Sequence, residues 1–198
     1  MSVNILEELR KNVGMQPLIK VDPNTQEVKI TSDEEKENKL MQAIVPSVVA
    51  GLYDCARSEE GLNFLAGTAS TPDWLTLLFG KNAPEVKLRL ANYSNNTEDA
   101  VQTHFNSVAA EGTKILRANA GDGDRKVSIR NIAGAQRDWF LPYLPAELQI
   151  GKLLEDNTMD DRTNKMEGPV SSFMHKIETL LTGQESKEEA NKNRNEKM

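Results

Sequence analysis

Leu40, Ile44, Val48 and Leu52 recur every four residues around Pro46 and Gly51, and Val101, Phe105 and Ala109 repeat that spacing ahead of Gly112. The two glycines stand 112 − 51 = 61 positions apart. An apolar stripe at helical period has to be covered by another element, and a second helix of the same kind is the simplest cover. The pattern therefore predicts an all-α, multihelical bundle with a weak internal helix repeat. The stripes define architecture and leave the chemistry open.

The remaining punctuation divides the chain into eight or nine helices. Ser2 is placed to cap a first helix carrying Ile5, Leu6, Leu9 and Val13, with Gly14 and Pro17 closing it. Residues 18–30 change period and read either as one small β-hairpin or as an irregular connector. Ser32 and Glu35 form a capping-box pair that opens a long helix running to about Ala56, with Pro46 inside it removing one backbone donor. Ser58 starts a short helix that ends near Gly67, and Thr71, Pro72 and Asp73 mark the start of another, Trp74 to Phe79, stopped by Gly80.

Asn82 and Pro84 open the next helix, which ends in the Asn-rich stretch from Asn92 to Asn96. Thr97 begins the second long stripe, whose inward positions are Val101, Phe105, Val108, Ala109, Gly112, Ile115 and Leu116. Gly121 to Asp124 reads as a loop, Ser128 as the cap of a segment carrying Ile129, Ile132, Gln136, Trp139 and Phe140, and Pro145 as the start of a helix with Leu148, Leu153 and Leu154. A polar, mobile stretch is expected from Glu155 to Gly168, followed by a last amphipathic helix from Pro169 to Gly183. The expected organisation is one domain over 1–183 and a disordered polar tail over 184–198, too poor in apolar groups to offset its ordering entropy.

Charge and cysteine usage narrow the function classes. Thirty acidic residues against 24 basic ones give a net charge of −6, which opposes nonspecific attachment to nucleic acid or to an anionic membrane. Cys55 is the single cysteine, so no intrachain disulfide is possible; it reads as a half-buried packing residue, in a reducing compartment or in a fold indifferent to redox state. Glu7, Glu8, Arg10 and Lys11 interrupt the first apolar positions, so these do not read as the core of a signal peptide. No run approaches the ~18 apolar residues of a membrane span. A cytoplasmic protein without a membrane span is the expectation.

The segment Ala135-Gln136-Arg137-Asp138-Trp139-Phe140-Leu141-Pro142-Tyr143-Leu144-Pro145-Ala146-Glu147-Leu148 gives the order of parts a familiar outline. With Ala43, Pro46, Gly51 and Leu52 in the first striped helix and Leu77, Leu78, Phe79 and Gly80 in the short apolar run, the chain resembles the YidB-like bacterial family, a domain of unknown function. The resemblance covers roughly Ile5 to Leu154. It departs at Ser107, where a proline is common in the family, and at Glu147, where a glycine is frequent. It implies a multihelical domain and supplies no catalytic residue.

The residue types that carry chemistry are sparse. His104 and His175 lie on separate predicted helices without a carboxylate or cysteine at metal-ligand spacing, so each reads as a surface or boundary residue. Asp122 and Asp124 alternate with glycines as a calcium loop does, but Val127 and Ala133 stand where such a loop needs its glycine and its glutamate. Phosphate-binding glycine loops and nucleophile elbows are missing from the sequence. Catalytic residues, metals and cofactors are therefore not expected.

Two surfaces remain. Trp74, Leu77, Leu78 and Phe79 form a dense apolar run that could serve a protein partner or self-association. Lys114, Arg117, Arg125, Lys126, Arg130 and Arg137 are the one local reversal of charge, diluted by Asp122, Asp124 and Asp138, with Trp139 and Phe140 assigned to a core stripe. The leading expectation is a noncatalytic helical interaction or scaffold protein. The alternative is a nucleic-acid-binding helical domain that uses the basic segment 114–137.

Overall fold

A computed structural model describes residues 3–21, 35–68, 73–121 and 123–160. Among the described residues every regular element is helical and no strand occurs. Seven helices of six residues or more carry the fold: α1 (Ile5–Asn12), α2 (Glu35–Cys55), α3 (Glu59–Ala66), α4 (Trp74–Phe79), α5 (Ala83–Ser94), α6 (Glu98–Asn119) and α7 (Arg125–Gly134). Three single-turn segments follow, α8 (Arg137–Phe140), α9 (Ile150–Leu153) and α10 (Asn157–Asp160). Of the expected hairpin, residues 18–21 carry no strand and 22–30 lie outside the described residues; so do Ser32, Thr71, Pro72, Asp122, the last predicted helix and the 184–198 tail.

Side-chain caps set most of these boundaries. Ser58, Asp73 and Thr97 each accept the amide of the residue three positions on, from Gly61 at 2.9 Å, Thr76 at 3.1 Å and Ala100 at 3.2 Å. Two starts differ from the sequence expectation. Asn4, rather than Ser2, caps α1 by accepting the Glu7 amide at 3.1 Å. Asp124, rather than Ser128, caps α7, accepting from Lys126 at 3.0 Å and Val127 at 3.2 Å, so that helix starts about one turn earlier. Both residue types are strong caps, and in each case the acceptor nearest the first free amides prevails.

α2 and α6, the two striped helices, pack against each other as the centre of the fold, with α1, α4 and α5 laid around them. The inward positions expected of α6 are all buried. The glycines explain how close the elements come. A Cβ on Gly112 would stand 2.8 Å from Leu52 Cδ1 of α2 and 3.3 Å from Leu9 Cδ1 of α1, while one on Gly51 would meet Leu78 Cβ of α4 at 3.1 Å. The repeated glycine is thus a repeated contact: α6 takes α2 and α1 on its bare backbone, and α2 takes α4.

Two buried glutamines hold the irregular chain on either side of α1. Gln136 accepts the Ile5 amide at 2.9 Å and donates to Val3 O at 2.8 Å and Ile132 O at 2.9 Å. Gln42 of α2 accepts the Ile19 amide at 2.9 Å and donates to Pro17 O at 3.1 Å. A primary amide offers a donor and an acceptor side by side, so one glutamine satisfies both polar groups of a passing peptide without needing a strand.

Candidate functional site

An open surface cleft of about 520 Å³ is lined by Asp54, Arg57, Ser58, Leu154, Glu155, Asp156 and Thr158. The last turn of α2 supplies Asp54, the α2–α3 turn supplies Arg57 and Ser58, and the passage from α9 into α10 supplies the rest. That passage is sharp: Glu155 takes φ 59° and Asp156 N–H turns back to donate to Gly151 O at 2.9 Å. The turn brings Asp156 back to a residue 99 positions earlier in the chain.

Arg57 joins two carboxylates. Its Nη1 is 2.5 Å from Asp156 Oδ2 and 3.4 Å from Asp54 Oδ1, and its guanidinium carbon lies 5.6 Å from the centre of the Tyr53 ring. Asp156 also starts α10, its Oδ1 accepting the Thr158 amide at 3.1 Å and the Thr158 hydroxyl at 2.5 Å. Arg137 closes the other side of α10, donating from Nη2 to Thr158 O at 2.7 Å and to Thr158 Oγ1 at 2.9 Å. Met159 between them is fully buried. The stretch after Glu155, expected to be polar and mobile, is in its first turn pinned, because Met159 reaches the core, Arg137 binds the Thr158 carbonyl and Arg57 binds the Asp156 carboxylate.

The two aspartates are held in opposite protonation preferences. Burial, reinforced by the charges of Asp156 and Glu155, pushes the Asp54 carboxyl above the usual range despite Arg57. Burial acts on Asp156 in the same direction, but hydrogen bonds from the Thr158 hydroxyl and amide and from Arg57 outweigh it and hold that carboxyl below its ordinary value. Glu155 pairs with Lys81 at 2.9 Å on the rim. The cleft is therefore an acidic hydrogen-bonding surface with one fixed anion and one easily protonated carboxyl. Cys55 beside it is no nucleophile at neutral pH, since burial and then the charges of Asp54 and Glu60 push its thiol up to about 11.

The residues singled out from sequence are distributed differently from expectation. Trp74, Leu78 and Phe79 are core residues at 3%, 5% and 5% exposure, and Leu77 is the one partly exposed member of the run. Phe64 and Trp74 meet edge to face at 5.7 Å, as do Phe79 and Phe105 at 5.9 Å, so the run is the inward face of α4. Trp139 makes the opposite change: it was assigned to a core stripe and is 43% exposed, while its neighbour Phe140 is fully buried. The break between α7 and α8 at Ala135 and Gln136 resets the helical phase, so the stripe read through it went out of register.

Lys114, Arg125, Lys126 and Arg130 of the basic segment are exposed and Arg117 and Arg137 are partly buried, and most of these cations meet acceptors of the protein itself. Arg117 donates to Leu65 O at 2.9 Å and Phe64 O at 3.2 Å, and Arg125 reaches Ala66 O at 3.5 Å, so two guanidinium groups cover the carbonyl end of α3. Arg130 pairs with Glu59 at the opposite end of the same helix, and Lys114 pairs with Glu111 at 3.3 Å. Arg137 holds α10, and its Nε is buried without a hydrogen-bond partner among the described residues. Lys126 is exposed.

His104 is half-buried on α6, and His175 lies outside the described residues. Among the described residues no group of three or more His, Cys, Asp or Glu side chains could hold a metal ion, and no helix is long and apolar enough to cross a membrane. The Asp54–Arg57–Asp156 cluster was not anticipated. A cluster closed over 99 positions leaves no local spacing to detect. Comparison with known protein families, with curated proteins and with solved structures gives no match.

Proposed function

We propose that this chain is a noncatalytic helical scaffold that works by contact with a protein partner or with a second copy of itself. The observation that carries the reading is the use made of its polar side chains. Gln42, Gln136, Asn82, Arg89, Asn106 and Arg117 each bind a backbone group far away in sequence, as with Asn82 to Leu153 O at 2.7 Å and Asn106 from the Trp74 amide at 2.9 Å. Groups that could act on a substrate instead fix irregular segments to the helices. The result is a rigid body with an aromatic contact group, Trp139, held out at the α7–α8 corner.

Membership of the YidB-like family and a cytoplasmic setting belong to the same proposal. They draw on the alanine, proline, glycine and leucine pattern of α2 and on the single half-buried thiol. The nucleic-acid alternative has less support, because Arg117, Arg125, Arg130 and Arg137 already meet protein acceptors and the chain is acidic. The test is sedimentation velocity of the intact protein over a wide concentration range, alone and with proteins captured on it, repeated for Trp139→Ser. Concentration-dependent association or a defined complex, weakened by the substitution, is the expected result. Saturable turnover of a small molecule, lost in Asp54→Asn, would overturn the scaffold reading.

A further inference from the structure

Arg57 faces two carboxylates that do not compete for it equally. Its Nη1 sits 2.5 Å from Asp156 and 3.4 Å from Asp54. The side chain of Asp156 is 9% exposed and that of Asp54 31%. Asp156 has two tasks at once, pairing with Arg57 and capping α10 through Thr158. Any loosening of Arg57 from Asp156 therefore weakens the attachment of α10 to the end of α2.

We propose that Asp54, Arg57 and Asp156 form a proton-operated latch that fixes α10 to the C-terminal end of α2 and is tightest when Asp54 alone is protonated. With both aspartates ionised, Arg57 is shared and two anions face each other across it. A proton on Asp54 removes the competitor and the repulsion, and leaves the guanidinium to Asp156. A second proton, on Asp156, removes the pair and the charged cap together.

Of the groups facing the latch, Glu155 acts in the same sense. Glu155 adds negative charge beside Asp54, offset on its outer side by Lys81 at 2.9 Å. Tyr53 lies under Arg57, and Cys55 is a neutral thiol in this range. Arg137 approaches from α8 but binds Thr158, so it holds α10 without entering the competition. A raised Asp54 favours the protonated form as pH falls, and a lowered Asp156 keeps its charge to lower pH. The tight state therefore occupies a window around the ordinary carboxylate value of ~3.9, and neutral pH lies on its looser side.

Amide hydrogen exchange of the intact protein tests this, read at Met159, whose amide donates to Asp156 O at 3.1 Å, with amides of α2 and α6 as internal controls. Met159 protection, corrected for the intrinsic rate, is expected to rise roughly three-fold from neutral pH to about pH 4, the size of an exposed ion pair. Asp54→Asn should show the raised protection already at neutral pH and no further rise. Asp156→Asn should lose Met159 protection throughout while the α2 and α6 amides stay protected. An unchanged pH response in Asp54→Asn, or full Met159 protection in Asp156→Asn, would overturn the latch.

Discussion

Gln136 Oε1 accepts the backbone amide of Ile5 at 2.9 Å across 131 positions of sequence, and the same side chain donates to Val3 O at 2.8 Å. Gln136 is 1% exposed. Replacing it by leucine leaves the Ile5 amide and the Val3 carbonyl with no side-chain partner. An unsatisfied buried polar group costs about 1–3 kcal/mol, so Gln136→Leu is expected to lower unfolding free energy by roughly 3 kcal/mol. Urea denaturation checks this, with the midpoint falling and the slope unchanged. A loss below ~0.5 kcal/mol would mean that the tie adds nothing to the fold.

The glycines separate two kinds of close approach. At Gly61 a Cβ would lie 2.0 Å from the carbonyl oxygen of Cys55, which is backbone and cannot move aside without reshaping the α2–α3 turn. At Gly112 the obstacle is Leu52 Cδ1, a methyl that can shift within the core. Overpacking costs about 1–3 kcal/mol, whereas alanine regains ~1 kcal/mol over glycine inside a helix. Gly112→Ala should therefore destabilise by about 1 kcal/mol and Gly61→Ala by roughly 3 kcal/mol, ranked by thermal or urea unfolding.

The same glycines show what the sequence discloses. Period and punctuation are local, and they located α3, α4, α5 and α6 closely because Ser58, Gly67, Asp73, Gly80 and Thr97 act within a turn of where they stand. Whether the Trp74–Phe79 run serves the core or a partner was left open by the sequence, because Thr76 is the single polar residue in its six positions; in the fold Trp74, Leu75, Leu78 and Phe79 are buried and Thr76 is exposed. The cleft was illegible for a different reason. Asp54 and Asp156 come to share Arg57 only once the chain after α9 has turned back to the α2–α3 turn, and nothing near either residue encodes that meeting.

The two tryptophans should respond oppositely to mutation and to quenchers. Trp74 is 3% exposed and stacks edge to face on Phe64, whereas Trp139 is 43% exposed. Trp74→Ala is expected to cost about 3–5 kcal/mol, the range for deleting a large core aromatic. Trp139→Ala should stay within about 0.5 kcal/mol, as for an ordinary surface change. Iodide quenching supplies a second reading: the accessible fraction of native fluorescence should vanish in Trp139→Phe and persist in Trp74→Phe.

Cys55 gives a pH signature of its own. Its thiol is pushed from 9.0 to about 11, first by burial and then by the charges of Asp54 and Glu60. A folded-state pKa above the unfolded one favours the folded chain while the thiol is protonated. That contribution is complete below pH 9 and is lost as pH rises through about 11. Because the thiolate is the reactive form, a soluble disulfide reagent should modify native Cys55 slowly at pH 8 and much faster as pH approaches 11, with full reactivity on unfolding in urea. Cys55→Ser should flatten the decline in stability between pH 9 and 11. Rapid modification of the native protein at pH 8 would show instead that the end of α2 opens readily enough to expose the thiol.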